Sequence, residues 1–66
     1  MNIRYDEETD TLMITLRTAR IQESDEIREG VIADFGYDGG IVRLEILNAT
    51  SVVDATKEIQ FAIEPA

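Results

Sequence analysis

Apolar and polar positions alternate along two stretches of the chain. Near the start, "IRY" and "TLMITLR" read as strands joined by the polar "DEETD". Pairing Tyr5 with Leu12 and Ile3 with Ile14 leaves residues 7–10 as a four-residue loop. Ile3, Tyr5, Leu12, Ile14 and Leu16 then share one face, and Arg4, Met13, Thr15 and Arg17 the other, as the two-residue period of a strand requires.

The second alternating stretch is "GVIADFGYDGGIVRLEIL". Asp38-Gly39 between two apolar-rich runs predicts a two-residue hairpin loop of the kind whose central residues both take positive φ. That turn sets Phe35 opposite Val42, Ala33 opposite Leu44 and Val31 opposite Ile46 on one face, with Asp34 opposite Arg43 on the other. Sliding the turn to Gly39-Gly40 keeps the faces but places Asp34 against Glu45, a like-charge contact. The first register is favoured, and Asp34 with Arg43 reads as a cross-strand ion pair before it reads as a site.

Between the hairpins, "TARIQESDEIREG" is polar, with Ile21 and Ile27 isolated. A short extended piece over 20–22 and an acidic loop over 23–29 are expected, a helical turn being the alternative because Glu and Arg are good helix formers. After Leu47 the period changes. "SVVD" resembles a capping box, and a short helix over about 49–56 follows from it. Ile59, Phe61 and Ile63 then alternate with polar or small residues, suggesting a final strand over 58–63. One long helix through Ala62 is the competing pattern. The predicted fold is therefore α+β and mainly β. It is a small antiparallel sheet of two hairpins, with strands over about 2–6, 11–17, 30–37 and 40–47.

With 66 residues the chain is one small domain, 1–66, close to the lower size at which a core sustains itself. It has no cysteine, so neither a disulfide nor a thiolate-bound metal can staple it. The second face of the sheet would carry Met13, Ile32, Ile41 and Leu47. A single small sheet needs cover and edge protection, so self-association, a homodimer in the simplest case, is expected. No run reaches the roughly 20 apolar residues of a membrane span and no signal-peptide core opens the chain, so a cytoplasmic, non-membrane protein is expected.

Fourteen acids against six bases give a net charge of −8, which disfavours direct nucleic-acid binding; it equally suits a basic protein partner or the solubility of a small protein, the commoner reason for such acidity. Histidine is also absent, which removes the usual base, and Ser24 and Ser51 have no imidazole to activate them. No catalytic residue, cofactor-binding residue or metal ligand is assigned, and a non-enzymatic protein is expected. The acid pairs Glu7-Glu8 and Asp25-Glu26 read as solvated charge. Asp6, Glu7, Glu8 and Asp10 lie within five residues, but lack the glycine and distal glutamate of a calcium loop. "GYDGG" likewise lacks the lysine and helix of a phosphate loop.

The order "IRYDEETDTLMITL", "ESDEI", "GVIADFGYDGGIVRLEILNAT" resembles the domain of unknown function 2283 family of short prokaryotic proteins. Tyr5, Asp6, Asp10, Leu12, Ile14, Leu16, Gly30, Asp34, Gly39, Glu45, Ile46, Leu47 and Ala49 fall on its recurring pattern, over roughly residues 3–50. Thr11 and Gly36 depart from it. The resemblance implies a small β-rich protein and, since some members are thought to be encoded beside toxin-like proteins, an antitoxin-like role. It brings no catalytic residues. The leading expectation is a homo-oligomeric interaction module whose acidic surface masks a basic partner. The alternatives are a small-ligand or metal-binding domain using Asp6, Asp10, Glu45 and a tyrosine at a dimer groove, and a structural protein with no dedicated ligand.

Overall fold

A computed structural model describes residues 1–54. They form one five-stranded antiparallel sheet made of β1 (Asn2–Asp6), β2 (Thr11–Thr15), β3 (Ile21–Arg28), β4 (Val31–Gly36) and β5 (Ile41–Leu47), in the spatial order β1-β2-β5-β4-β3. A single 3-10 turn, Ala49–Ser51, follows β5. The fold is mainly β, with no long helix among the described residues.

The first hairpin has the expected register, Tyr5 on Leu12 and Ile3 on Ile14. Its loop closes where Asp6 Oδ1 accepts the Glu8 N–H at 3.0 Å and Asp10 takes a φ of 52°. Aspartate enters the left-handed region more readily than most residues, and the Asp10 carboxylate is anchored by the Tyr5 and Thr50 hydroxyls. β2 then pairs with β5, setting Leu12 on Ile46 and Ile14 on Leu44. The apolar face therefore runs unbroken from β1 through β5 to Val31 and Ala33 of β4.

The second hairpin keeps Asp34 on Arg43, Ala33 on Leu44 and Val31 on Ile46, but Phe35 pairs with Ile41 rather than Val42. A bulge at Val42 absorbs the extra residue and leaves that side chain buried. The tip differs for the same reason. Gly36 N–H bonds Gly40 O at 2.9 Å and Gly39 N–H bonds Gly36 O at 3.0 Å, so the turn is centred on Tyr37-Asp38, not Asp38-Gly39. Only Gly39, at φ 84°, takes the left-handed conformation. A three-residue loop of this kind confines the unfavourable φ to glycine and spares Asp38.

The largest correction lies between the hairpins. Residues 20–22 as a short strand and 23–29 as an acidic loop give way to a continuous eight-residue strand, Ile21–Arg28, at the sheet edge. It pairs with β4 through Glu23–Phe35, Ser24–Asp34, Asp25–Ala33 and Glu26–Ile32, with a register shift on either side of that stretch. All eight of its residues are exposed, so no burial had to be encoded as an apolar alternation. Gly30, at φ 77°, closes the tight turn into β4.

The helix expected over 49–56 is a 3-10 turn confined to Ala49–Ser51 in the described residues. Thr50, Val52 and Val53 are poor helix formers, and Asn48 makes no side-chain cap. The final strand expected over 58–63 lies outside the described residues. Among those described, Leu12, Ala33, Val42 and Ala49 form the apolar core, and Asp34 is the buried charged residue.

Candidate functional site

Two features of the sheet concentrate chemistry. One is a polar row that crosses it: Ser24, Asp34, Arg43 and Thr15 lie in register on β3, β4, β5 and β2. Asp34 is only 2% exposed, and both of its oxygens are engaged. Ser24 Oγ donates a short hydrogen bond to Oδ1, and Arg43 Nε donates to Oδ2 at 2.7 Å. Glu45 stands 3.9 Å from Arg43 Nη2 on the far side. The Asp34 carboxylate, and then Glu45, push the Arg43 pKa up. A buried carboxylate held by a guanidinium and a hydroxyl is what burial of charge demands, and among the described residues no buried side-chain polar atom lacks a partner. The row fixes the β3–β4–β5 register. Ser24, without an imidazole, donates its proton to Asp34 rather than facing a base in an open cleft.

The other feature is β3 itself. Glu23 and Asp25 share the face of Phe35 and Ala33, Ser24 and Glu26 share the face of Asp34 and Ile32, and all four are exposed. An acidic side chain therefore projects on each side of this sheet edge, which is unpaired among the described residues.

Two further clusters join distant parts of the chain. Asp10 accepts the Tyr5 hydroxyl at 2.7 Å, the Thr50 hydroxyl at 2.7 Å and the Thr50 N–H at 3.1 Å, while its carbonyl accepts Ala49 N–H at 2.9 Å. It thus clasps the first loop to the 3-10 turn. Tyr5 above all, and Thr50 with it, hold the Asp10 carboxyl below the usual aspartate value. At the other end Arg17 grips the second hairpin. Its Nη1 and Nη2 donate to Asp38 at 2.9 and 2.7 Å, and Nε and Nη2 reach Ile41 O and Gly40 O at 3.2 Å. The guanidinium, followed by Gly40 N–H, holds the Asp38 carboxyl down at about 2. Beside this clamp, a shallow groove is lined by Arg17, Ala19, Arg20, Tyr37 and Asp38, with the Arg20 guanidinium 5.2 Å from the centre of the Tyr37 ring.

Asp6, Asp10, Glu45 and a tyrosine do not converge in one protomer. Asp10 meets Tyr5, Asp6 turns to Glu8 N–H, and Glu45 lies on β5 beside Met13 and Ile32. Among the described residues no three acidic side chains are placed to hold a metal ion, Asp6, Glu7, Glu8 and Asp10 included. Arg17, Thr50 and the bond from Ser24 to Asp34 were invisible to local reasoning. The one available signal was that Asp10 and Tyr5 both fall on the resembled pattern.

The chain matches the family described as "Protein of unknown function (DUF2283)" over residues 2–49, a stretch that spans all five strands. It belongs to the DUF2283 family. No curated protein and no solved structure matches it. Two clusters of this DUF2283 chain are built on residues of the resembled pattern: Tyr5 and Asp10 in the clasp, and Asp34 in the polar row. Both have their side chains engaged in holding the sheet together. Among the described residues no helix is long and apolar enough to cross a membrane.

Proposed function

We propose that this DUF2283 protein is a non-enzymatic, homo-oligomeric, cytoplasmic interaction module that engages a basic protein partner and does not bind nucleic acid directly. Masking of a basic partner in an antitoxin-like manner is its sharpest form. The observation that carries the reading is the distribution of charge. Glu23, Asp25 and Glu26 stand exposed on a strand that contributes nothing to the core, whereas Arg17 and Arg43 are tied to carboxylates of the same chain. Each of these pairs cancels one acid with one base, so the net charge of −8 stays with the other acids, those of β3 among them.

Self-association is supported by what the sheet leaves uncovered. Among the described residues, Leu16, Ile21, Ile27, Ile41 and Val52 are exposed, against a core of four small or medium apolar residues. The test is capture from the native host with tagged wild-type protein and with the variant Glu23→Gln/Asp25→Asn/Glu26→Gln, read by mass spectrometry. The expected result is a stoichiometric basic protein on the wild type that is lost from the variant and released by salt. Equal recovery on both proteins, or recovery of none, overturns the proposal.

A further inference from the structure

The geometry points to the edge of β3, which no other strand covers among the described residues, as the place where an extended basic segment of the partner is added as a sixth strand. This inference rests on the reading of a basic partner and adds the manner in which it is held. The backbone directions follow from one bond. Leu47 N–H donates to Gly30 O at 2.8 Å, which makes Gly30 and Leu47 a hydrogen-bonded pair of the β4–β5 ladder. Hydrogen-bonded and non-bonded pairs alternate in an antiparallel ladder, so Ile32 and Asp34 also turn their backbone groups to β5. Val31, Ala33 and Phe35 turn theirs to β3, where they meet Arg28, Asp25 and Glu23. The N–H and C=O groups of Ser24 and Glu26 consequently point outward from the sheet, as the template that strand addition uses.

The charge around that template selects the occupant. Because Glu23 and Asp25 project on one face and Glu26 on the other, an incoming strand meets a carboxylate whichever way its side chains point. Lysine or arginine opposite these positions turns each meeting into an attractive cross-strand pair. A second copy of the chain fits poorly. Across a two-fold axis the outward-turned Ser24 and Glu26 can face only each other or themselves, and pairing centred on Ser24 sets Glu23 against Asp25. Pairing centred on Asp25 sets that residue against itself, and pairing centred on Glu26 does the same for Glu26. Like charges directly opposite are unfavourable, so the edge rejects itself and accepts a basic strand. The regular stretch from Glu23 to Glu26, bounded by register shifts on both sides, sets the core of the added strand at about four residues.

The probe is a synthetic octapeptide with Lys or Arg at its four central positions and Val or Thr at its ends. It is titrated into the full-length ¹⁵N-labelled protein. A second version carries backbone N-methyl groups on all four central residues, preserving the charge while blocking both hydrogen-bonding edges. The expected result is slowed exchange at the Ser24 and Glu26 amides, with the N-methylated version binding at least tenfold more weakly than the unmodified one. The charge-neutralised variant, whose spectrum reports that it is folded, loses the binding. Equal binding of both peptides overturns strand addition while leaving a basic partner in place. Absence of binding, or binding that leaves the Ser24 and Glu26 amides unchanged, also overturns it, whereas the basic partner itself stands or falls on the capture experiment.

Discussion

Replacing Asp34 by alanine removes the buried charge on which three strands converge. Breaking a fully buried ion pair from one side costs about 3–5 kcal/mol. Arg43 retains 34% side-chain exposure and has Glu45 at 3.9 Å, so that part is discounted to about 2 kcal/mol. The Ser24 hydroxyl loses its acceptor, adding about 1 kcal/mol. The sum, about 3 kcal/mol, is large for a domain of this size, whose total stability is on the order of 3–10 kcal/mol. With a urea m-value near 1 kcal/mol/M for so small a protein, the unfolding midpoint should fall by about 2–3 M. The comparison is made at one protein concentration, because an associating protein's apparent stability depends on it. Asp34→Asn, which keeps the shape and an acceptor for Ser24, should lose less. Asp34→Leu with Arg43→Leu should recover most of the loss, since a packed apolar pair avoids the desolvation of two charges. A midpoint for Asp34→Ala within about 0.3 M of wild type would falsify the view that the row holds the register.

Tyr5→Phe should raise the Asp10 pKa, seen by NMR titration of its carboxyl, and speed exchange at the Thr50 amide that it accepts. Gly39→Ala should lower stability by about 1 kcal/mol in a thermal melt. The space beside Gly39 is open, so the cost there is conformational and comes from φ 84°. Asp38 is held at about 2 against 3.8 for an ordinary aspartate, so its contribution is complete above the unfolded value and disappears as pH falls through about 2. Asp38→Asn should therefore flatten the acid limb of the stability curve between about pH 4 and 2, measured by denaturant unfolding at several pH values. Sizing at rising concentration should show an oligomer, and a monomer throughout would remove the homo-oligomer from the proposal.

The sequence was most legible where burial forced a period. Leu12 and Ile14 sit opposite Tyr5 and Ile3, and Leu44 and Ile46 opposite Ala33 and Val31, as expected, because a one-residue slip would turn each of them to the wrong face. β3 was illegible because an edge strand exposed on both faces carries no such period. Its pairing is imposed by β4 and by the bond between Ser24 and Asp34. The hairpin tip was misplaced by one residue because Asp38-Gly39 suits two loop types. The choice between them is made by Arg17, twenty-one residues away in the chain, and by Gly40 N–H. Asp10 and Thr50, forty residues apart, meet only once five strands are in order. Polar contacts of this range leave no local trace.

The proposal that the exposed acids of this sheet serve a basic partner is decided by a native mass spectrum of the complex isolated from the host. The expected spectrum contains a small basic chain in fixed ratio to this protein, dissociating as ionic strength rises. A spectrum with this protein alone, or with a partner carrying no excess of lysine and arginine, would contradict it.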